Sequence, residues 1–155
     1  MTLTINKLGI MHLQECVDLD KKSFEGLWTK SQWKKELTDP KRICLGIIES
    51  KSKKLLGLCS ACPVIDELHI TFIAVYPMHQ RKGLGKILIS EIIKRSKSLQ
   101  TNHIYLEVKN NNEPAKALYK SMGFIPIGIR SNFYKDGSDA LTLTKEIKTN
   151  NKTNA

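Results

Sequence analysis

The sequence is short of several things, and each shortage narrows what it can be. Among its 155 residues no stretch approaches the roughly 18 consecutive apolar residues that a membrane helix needs. Aromatic residues make up only 6%, too few for a stacking platform that would hold single-stranded nucleic acid. The opening Met1-Thr2-Leu3-Thr4-Ile5-Asn6-Lys7 has no basic stretch leading into an apolar run. It does not read as a signal peptide, so a cytoplasmic protein is expected. The Gly-x-x-x-x-Gly-Lys-Ser/Thr pattern of nucleotide hydrolysis is missing, as is any Ser/His/Asp or Cys/His arrangement for a covalent route. The four histidines (His12, His69, His79, His103) are scattered. The one Cys-x-x-Cys, Cys59-Ser60-Ala61-Cys62, has no second pair to complete a zinc set. Its flanks are strand-like, where positions three apart face opposite sides. Packed thiols are expected at Cys16, Cys44, Cys59 and Cys62, and no metal.

What the sequence does have is positive charge. Lys and Arg total 25 against 15 Asp and Glu, a net +10. Such a balance favours an anionic partner: nucleic acid, an anionic membrane or a phosphorylated cofactor. The basic residues are spread along the chain, without a helix-turn-helix, zinc-finger or RNA-recognition signature. Direct binding to nucleic acid or membrane is therefore not expected. With 41% hydrophobic and 26% charged residues, the composition is that of an ordinary globular protein. At this length one domain is expected, and a monomer.

Periodicity gives the order of elements. Residues 2–7 alternate as a strand, and 8–22 carry Ile10, Leu13 and Val17 at helical spacing. A loop with two exposed aromatics, Phe24 and Trp28, leads to Thr29, which caps a helix over 30–38. Strands at 43–49 and 55–61 form a hairpin, a turn follows at 64–67, and 68–75 is apolar enough for a central strand covered on both faces. A helix at 85–99, a strand at 104–108, a helix capped by Asn112 and stopped by Gly123, and strands at 124–129 and 140–144 complete the series. From Lys145 the chain is polar and aperiodic; the domain is placed at 1–146, with 147–155 as a disordered tail. The result is an α/β fold: a mixed sheet of about seven strands with helices on both faces and a right-handed crossover from 68 to 108.

Three features carry chemistry. Gln80-Arg81-Lys82-Gly83-Leu84-Gly85 lies between a strand and a helix, where glycines and helical N–H groups make an anion cradle and Arg81, Lys82 and Lys86 add charge. In Ile104-Tyr105-Leu106-Glu107-Val108 the apolar residues share one face, leaving Glu107 on the other. It stands beside the central strand, as a general base could. In Ala117-Leu118-Tyr119-Lys120-Ser121-Met122-Gly123-Phe124, Leu118 and Met122 face the core while Tyr119 is offset from them. A phenol can protonate a departing thiolate, because its reference pKa of about 10 exceeds the thiol's value of about 8.5.

In this order the features resemble the Gcn5-related N-acetyltransferase (GNAT) family, from about residue 4 to 144. Within it the chain looks most like the RimI type, which acetylates the N-terminal alanine of a small-subunit ribosomal protein. Asp66-Glu67, Ile73-Ala74-Val75-x-Pro77, Asn112 and the segment Arg130-Ser131-Asn132-Phe133-Tyr134-x-Asp136-Gly137-x-Asp139-Ala140 carry that likeness. Where such relatives often show Pro-Trp-Ser or Pro-Trp-Thr, this chain has Leu27-Trp28-Thr29. The resemblance implies a single-domain acyl-CoA N-acyltransferase fold using acetyl-CoA as cosubstrate. It implies that Ile73, Ala74 and Val75 line the acetyl and pantetheine arm. Arg81, Lys82, Gly83, Leu84, Gly85 and Lys86 would hold the pyrophosphate, and Asn112 would touch the cofactor. Glu107 would take the proton from the acceptor amine and Tyr119 would protonate the sulfur. Trp28, Glu67, Arg130 and Tyr134 would border the acceptor, a ribosomal-protein N-terminus. A lysine side chain or small-molecule amine is the alternative acceptor.

Overall fold

The computed structural model describes residues 2–148. Seven strands form one sheet: β1 Leu3–Lys7, β2 Ile43–Glu49, β3 Leu55–Val64, β4 Glu67–Val75, β5 His103–Lys109, β6 Ile125–Arg130 and β7 Ala140–Glu146. Their order is β1-β2-β3-β4-β5-β7-β6. All neighbours are antiparallel except β4 and β5, which run parallel. The helix α3, Leu84–Ser98, makes the crossover between those two strands. It packs on one face with α4, Glu113–Ser121, over a core that includes Leu88, Ile92, Ile104 and Phe124. On the other face α1, Leu13–Phe24, and α2, Lys30–Thr38, cover a second cluster built on Leu19, Trp33, Leu58 and Phe72.

The α2 helix starts where the cap predicts: Thr29 Oγ1 accepts from Gln32 N–H at 3.1 Å, and Gln32 Oε1 accepts from Thr29 N–H at 2.8 Å. The first helix begins later than its periodicity suggests. Leu8 is buried and its N–H donates to the Cys44 carbonyl at 2.9 Å, continuing the β1–β2 ladder. A short 3-10 turn, Ile10–His12, then leads into α1. β3 runs through Pro63 to Val64, leaving only Ile65 and Asp66 in the turn to β4. Pro63 is tolerated because β2 pairing ends at Ala61, so this part of β3 is an edge on that side. The end of the chain departs from its polar reading: β7 continues to Glu146, and Ile147 is buried with its N–H on the Asn102 carbonyl at 2.8 Å. The tail from residue 149 onward lies outside the described residues.

Two irregularities shape the middle of the sheet. Opposite β3, Ser60 pairs with Phe72 and Ala61 with Ile70, so Thr71 is an extra residue, a bulge. It switches the side-chain alternation: Leu68 and Ile70 join the α3 core, whereas Phe72 joins the α1–α2 cluster. β4 is thus covered on both faces, with Thr71 left exposed between. Secondly, β4 pairs with β5 only over Glu67–His103, Leu68–Ile104 and His69–Tyr105. Beyond that point β5 keeps only its pairing with β7, which runs along its other edge from His103 to Lys109, and a gap opens on the β4 side.

Candidate active site

The gap between β4 and β5 becomes a crevice of about 720 Å³. β4 lines it with Ile73 and Thr71, β5 with Tyr105 and Glu107, the α1–α2 loop with Leu27 and Trp28, and the β6–β7 loop with Phe133 and Tyr134. The free backbone of β4 faces it too. Tyr76 N–H donates to the Leu56 carbonyl at 2.9 Å, toward β3. Alternation along an antiparallel ladder then turns the N–H groups of Val75 and Ile73 the other way, toward the departed β5. The Val75 carbonyl is taken by Gln80 Nε2 at 3.0 Å. Among the described residues these two N–H donors lie on a strand edge without a paired strand, and they suit a carbonyl-bearing ligand lying along the gap.

Past β4, the chain turns through Pro77–His79 into the basic loop. Arg81 has φ +64 and Gly83 φ +79, left-handed residues of the kind from which anion-binding backbone concavities are built, at the start of α3. A side chain at Gly83 would meet nothing within 4 Å, whereas one at Gly85 would sit 3.1 Å from Leu118 Cδ2. The first glycine therefore serves the turn, and the second the close approach of α3 to α4. Arg81, Lys82 and Lys86 are exposed there. The donor set fits a diphosphate: cationic side chains around a helix N-terminus. Asn112 performs the structural half of its expected role, its Oδ1 accepting from Ala115 N–H at 3.2 Å to cap α4.

Glu107 projects into the crevice from β5, as its alternation requires. Arg130 Nε lies 2.7 Å from its Oε2, and Thr142 donates to the same oxygen at 3.3 Å. Arg130, expected to border the acceptor, lines the crevice and meets this carboxylate. Tyr134 is buried, and burial followed by the charges of Glu107 and Asp136 pushes its phenol up. It stacks on Phe24 with centroids 5.6 Å apart, so the end of α1 and the β6–β7 loop meet in the lining of the crevice. Lys109 lies over both rings and pairs with Asp136 at 3.1 Å. The exposed aromatics expected after α1 are instead half-buried. Phe24 and Trp28 pack on Phe72 at 5.2 and 5.6 Å, because the β4 bulge brings that ring to their side.

Not every expected residue gathers here. Tyr119 lies in the α3–α4 core, edge-on to Phe124 at 6.0 Å and 5% exposed. Burial pushes its phenol up, with smaller contributions from Cys59 and Tyr134, so the phenol stays protonated. Glu67 sits at the start of β4, bonded to His69 Nε2 at 2.9 Å. It is His69, stacked on Tyr105 at 5.0 Å, that reaches the crevice wall. Cys16, Cys44 and Cys59 are buried, and burial pushes the Cys44 thiol up to about 12. Periodicity missed Asp20: a carboxylate on an amphipathic helix looks solvent-facing, yet this one is wholly buried beneath the Trp28 loop.

Comparison with known proteins joins this geometry to a family. Residues 10–124 match the acetyltransferase (GNAT) family. A protein of Bacillus subtilis (strain 168), provisionally named ribosomal protein bS18-alanine N-acetyltransferase, is 32% identical over 140 residues, covering 90% of this chain and 92% of its own. The crystal structure of the ribosomal-protein-S18-alanine N-acetyltransferase from Escherichia coli superimposes with a TM-score of 0.86 at 25% identity, covering 99% of both chains. Arabidopsis thaliana NAA60, solved in complex with acetyl-CoA, shares the fold with a TM-score of 0.83 at 18% identity, covering 94% of this chain and 99% of that one. The split sheet, the glycine-bearing turn and the matched sequence agree: the chain belongs to the GNAT family of N-acetyltransferases and resembles its RimI type.

Proposed function

We propose that the protein transfers an acetyl group from acetyl-CoA to the N-terminal α-amine of a small-subunit ribosomal protein, with alanine as the acceptor residue. The observation that carries this reading is the near full-length match to relatives bearing that activity in their names. Bound acetyl-CoA supplies the acetyl group as an activated thioester. The basic turn at Arg81, Lys82, Gly83, Leu84, Gly85 and Lys86 holds its diphosphate, and Ile73, Ala74 and Val75 bind the arm by backbone groups. The Val75 N–H polarises the acetyl carbonyl as a fixed dipole.

Glu107 removes the proton from the incoming ammonium, so that the nitrogen lone pair forms the new C–N bond as the C–S bond breaks. The acid for the sulfur is assigned to Tyr119, which burial keeps protonated but which stands in the α3–α4 core and not among the crevice-lining residues, so its part rests on the family resemblance alone. No enzyme nucleophile is required. An α-amine with a reference pKa of about 7.7–8.0 is far easier to neutralise than a lysine of about 10.4. Trp28, Arg130 and Tyr134 border the acceptor, with Glu67 behind His69.

A three-peptide assay tests the reading with acetyl-CoA present. The peptides are the host's own bS18 N-terminus, the same peptide with its α-amine blocked, and a blocked peptide containing lysine. Acetylation of the first alone is expected. Acetylation of the blocked lysine peptide, or of none, contradicts the assignment.

A further inference from the structure

We propose that Asp20 is a positioning residue for acceptor binding: its buried carboxylate fixes the loop that carries Leu27 and Trp28 into the crevice. This rests on the acetyltransferase reading of that crevice and deepens it. Asp20 lies on α1 and is 0% exposed. Its Oδ1 accepts from Leu27 N–H at 2.7 Å. Its Oδ2 accepts from Trp28 N–H at 2.9 Å and from the Trp33 indole Nε1–H at 2.9 Å. The Asp20 carbonyl takes Gly26 N–H at 3.3 Å. Three consecutive loop residues therefore end their backbone N–H groups on one residue.

Leu27 and Trp28 belong to no helix or strand, and both line the crevice. Their placement follows from Asp20 and from what stands behind them. The Trp28 ring packs 4.6 Å from Trp33, the same side chain whose indole Asp20 holds. Trp33 in turn meets Phe72 of β4 at 4.8 Å, next to Ile73. One carboxylate thus ties α1, α2 and the loop together, and sets both the backbone and the backing ring of the acceptor wall. The side-chain type is specific to this task. A carboxylate offers two acceptor oxygens, whereas an amide keeps one and turns its NH2 toward groups that themselves donate. A buried carboxylate would be costly without these donors, so loop and carboxylate stabilise one another.

The test compares Asp20→Asn with Ile47→Ala, a truncation in the β2 core remote from the loop, and with Trp33→Phe, which removes the indole donor but keeps a ring. Steady-state kinetics on the folded proteins give KM for the terminal-alanine peptide and KM for acetyl-CoA separately. Asp20→Asn is expected to raise the peptide KM about tenfold and to leave the acetyl-CoA KM within about twofold, since small misplacements of a binding wall are felt strongly. Ile47→Ala is expected to lower the melting temperature while leaving both constants unchanged. Trp28 and Trp33 are the two tryptophans of the chain, so acrylamide quenching of their emission reads the loop without any acceptor. It is expected to increase in Asp20→Asn, where both tryptophans remain. If Asp20→Asn does not fold, Trp33→Phe decides, with a peptide KM raised about threefold. A peptide KM and quenching equal to wild type overturn the proposal, as does an equal rise in both KM values. Should the wild type acetylate no terminal-alanine peptide, the acceptor assignment fails, while quenching still decides whether Asp20 holds the loop.

Discussion

Glu107 and Asp20 are two carboxylates whose environments assign them different work. Glu107 faces open space in the crevice, with Arg130 and Thr142 on one oxygen. Asp20 has both oxygens filled by donors that never leave. The first stands where the proposed general base must stand, and the second is held among the donors of the loop. Glu107→Gln is expected to lower kcat by about 10²–10³ with little change in the acetyl-CoA KM, the usual share of a general base. An unchanged kcat in a steady-state assay removes Glu107 from the mechanism. Glu107 was legible because strand alternation alone puts it opposite Ile104, Leu106 and Val108. Asp20 was not, because its three donors come from residues 27, 28 and 33, and their convergence is a tertiary fact. Arg130 was singled out by the resemblance alone, and its pairing with Glu107 was not legible, since it depends on β7 lying between their strands.

Two turns carry the site, and each has its own sensitivity. Gly83 adopts φ +79 at the entrance to α3. Gly83→Ala is expected to cost about 1–2 kcal/mol of stability, the strain of a left-handed alanine, and to weaken acetyl-CoA binding; calorimetry reads both. Wild-type affinity in that variant would mean that the turn does not form the cradle. In the β6–β7 loop, hydrogen bonds from the Ser138 hydroxyl and backbone, then from Lys109, lower the Asp136 carboxyl from 3.8 to about 2. The ionised form belongs to the folded loop. Its stabilising effect is complete above the unfolded value and is lost as pH falls toward the folded one. Asp136→Asn is therefore expected to flatten the acid dependence of Tyr134 fluorescence or chemical shift below about pH 4. Helix α2 and strand β2 were readable to the residue from Thr29 and from apolar runs. Leu8 and Ile147 were not, since each is buried by a backbone bond to a distant strand or loop.

Across the whole molecule, the mixed sheet, its helices on both faces and the crossover from β4 to β5 followed from the order of elements, whereas the insertion of β7 between β5 and β6 did not; the crevice followed from two breaks in regularity that no periodicity announces, the Thr71 bulge and the parting of β4 from β5. Three buried or half-buried phenols, Tyr76, Tyr119 and Tyr134, are pushed up from 10.0, chiefly by burial, and three buried thiols are pushed up from 9.0. These groups favour the fold while neutral. Above their ordinary values the unfolded chain ionises them and the folded chain does not, so stability is lost as pH rises. Melting temperatures are expected to fall between about pH 9 and about pH 11, and a flat profile would contradict that burial.

The central claim is acetyl transfer to one ribosomal N-terminus, and intact-mass spectrometry of ribosomal proteins from cells with and without this gene tests it most directly. One small-subunit protein beginning with alanine is expected to lose the mass of a single acetyl group in the deletion strain, and to regain it with the wild-type gene but not with Glu107→Gln. Identical masses for every ribosomal protein in both strains would contradict the account.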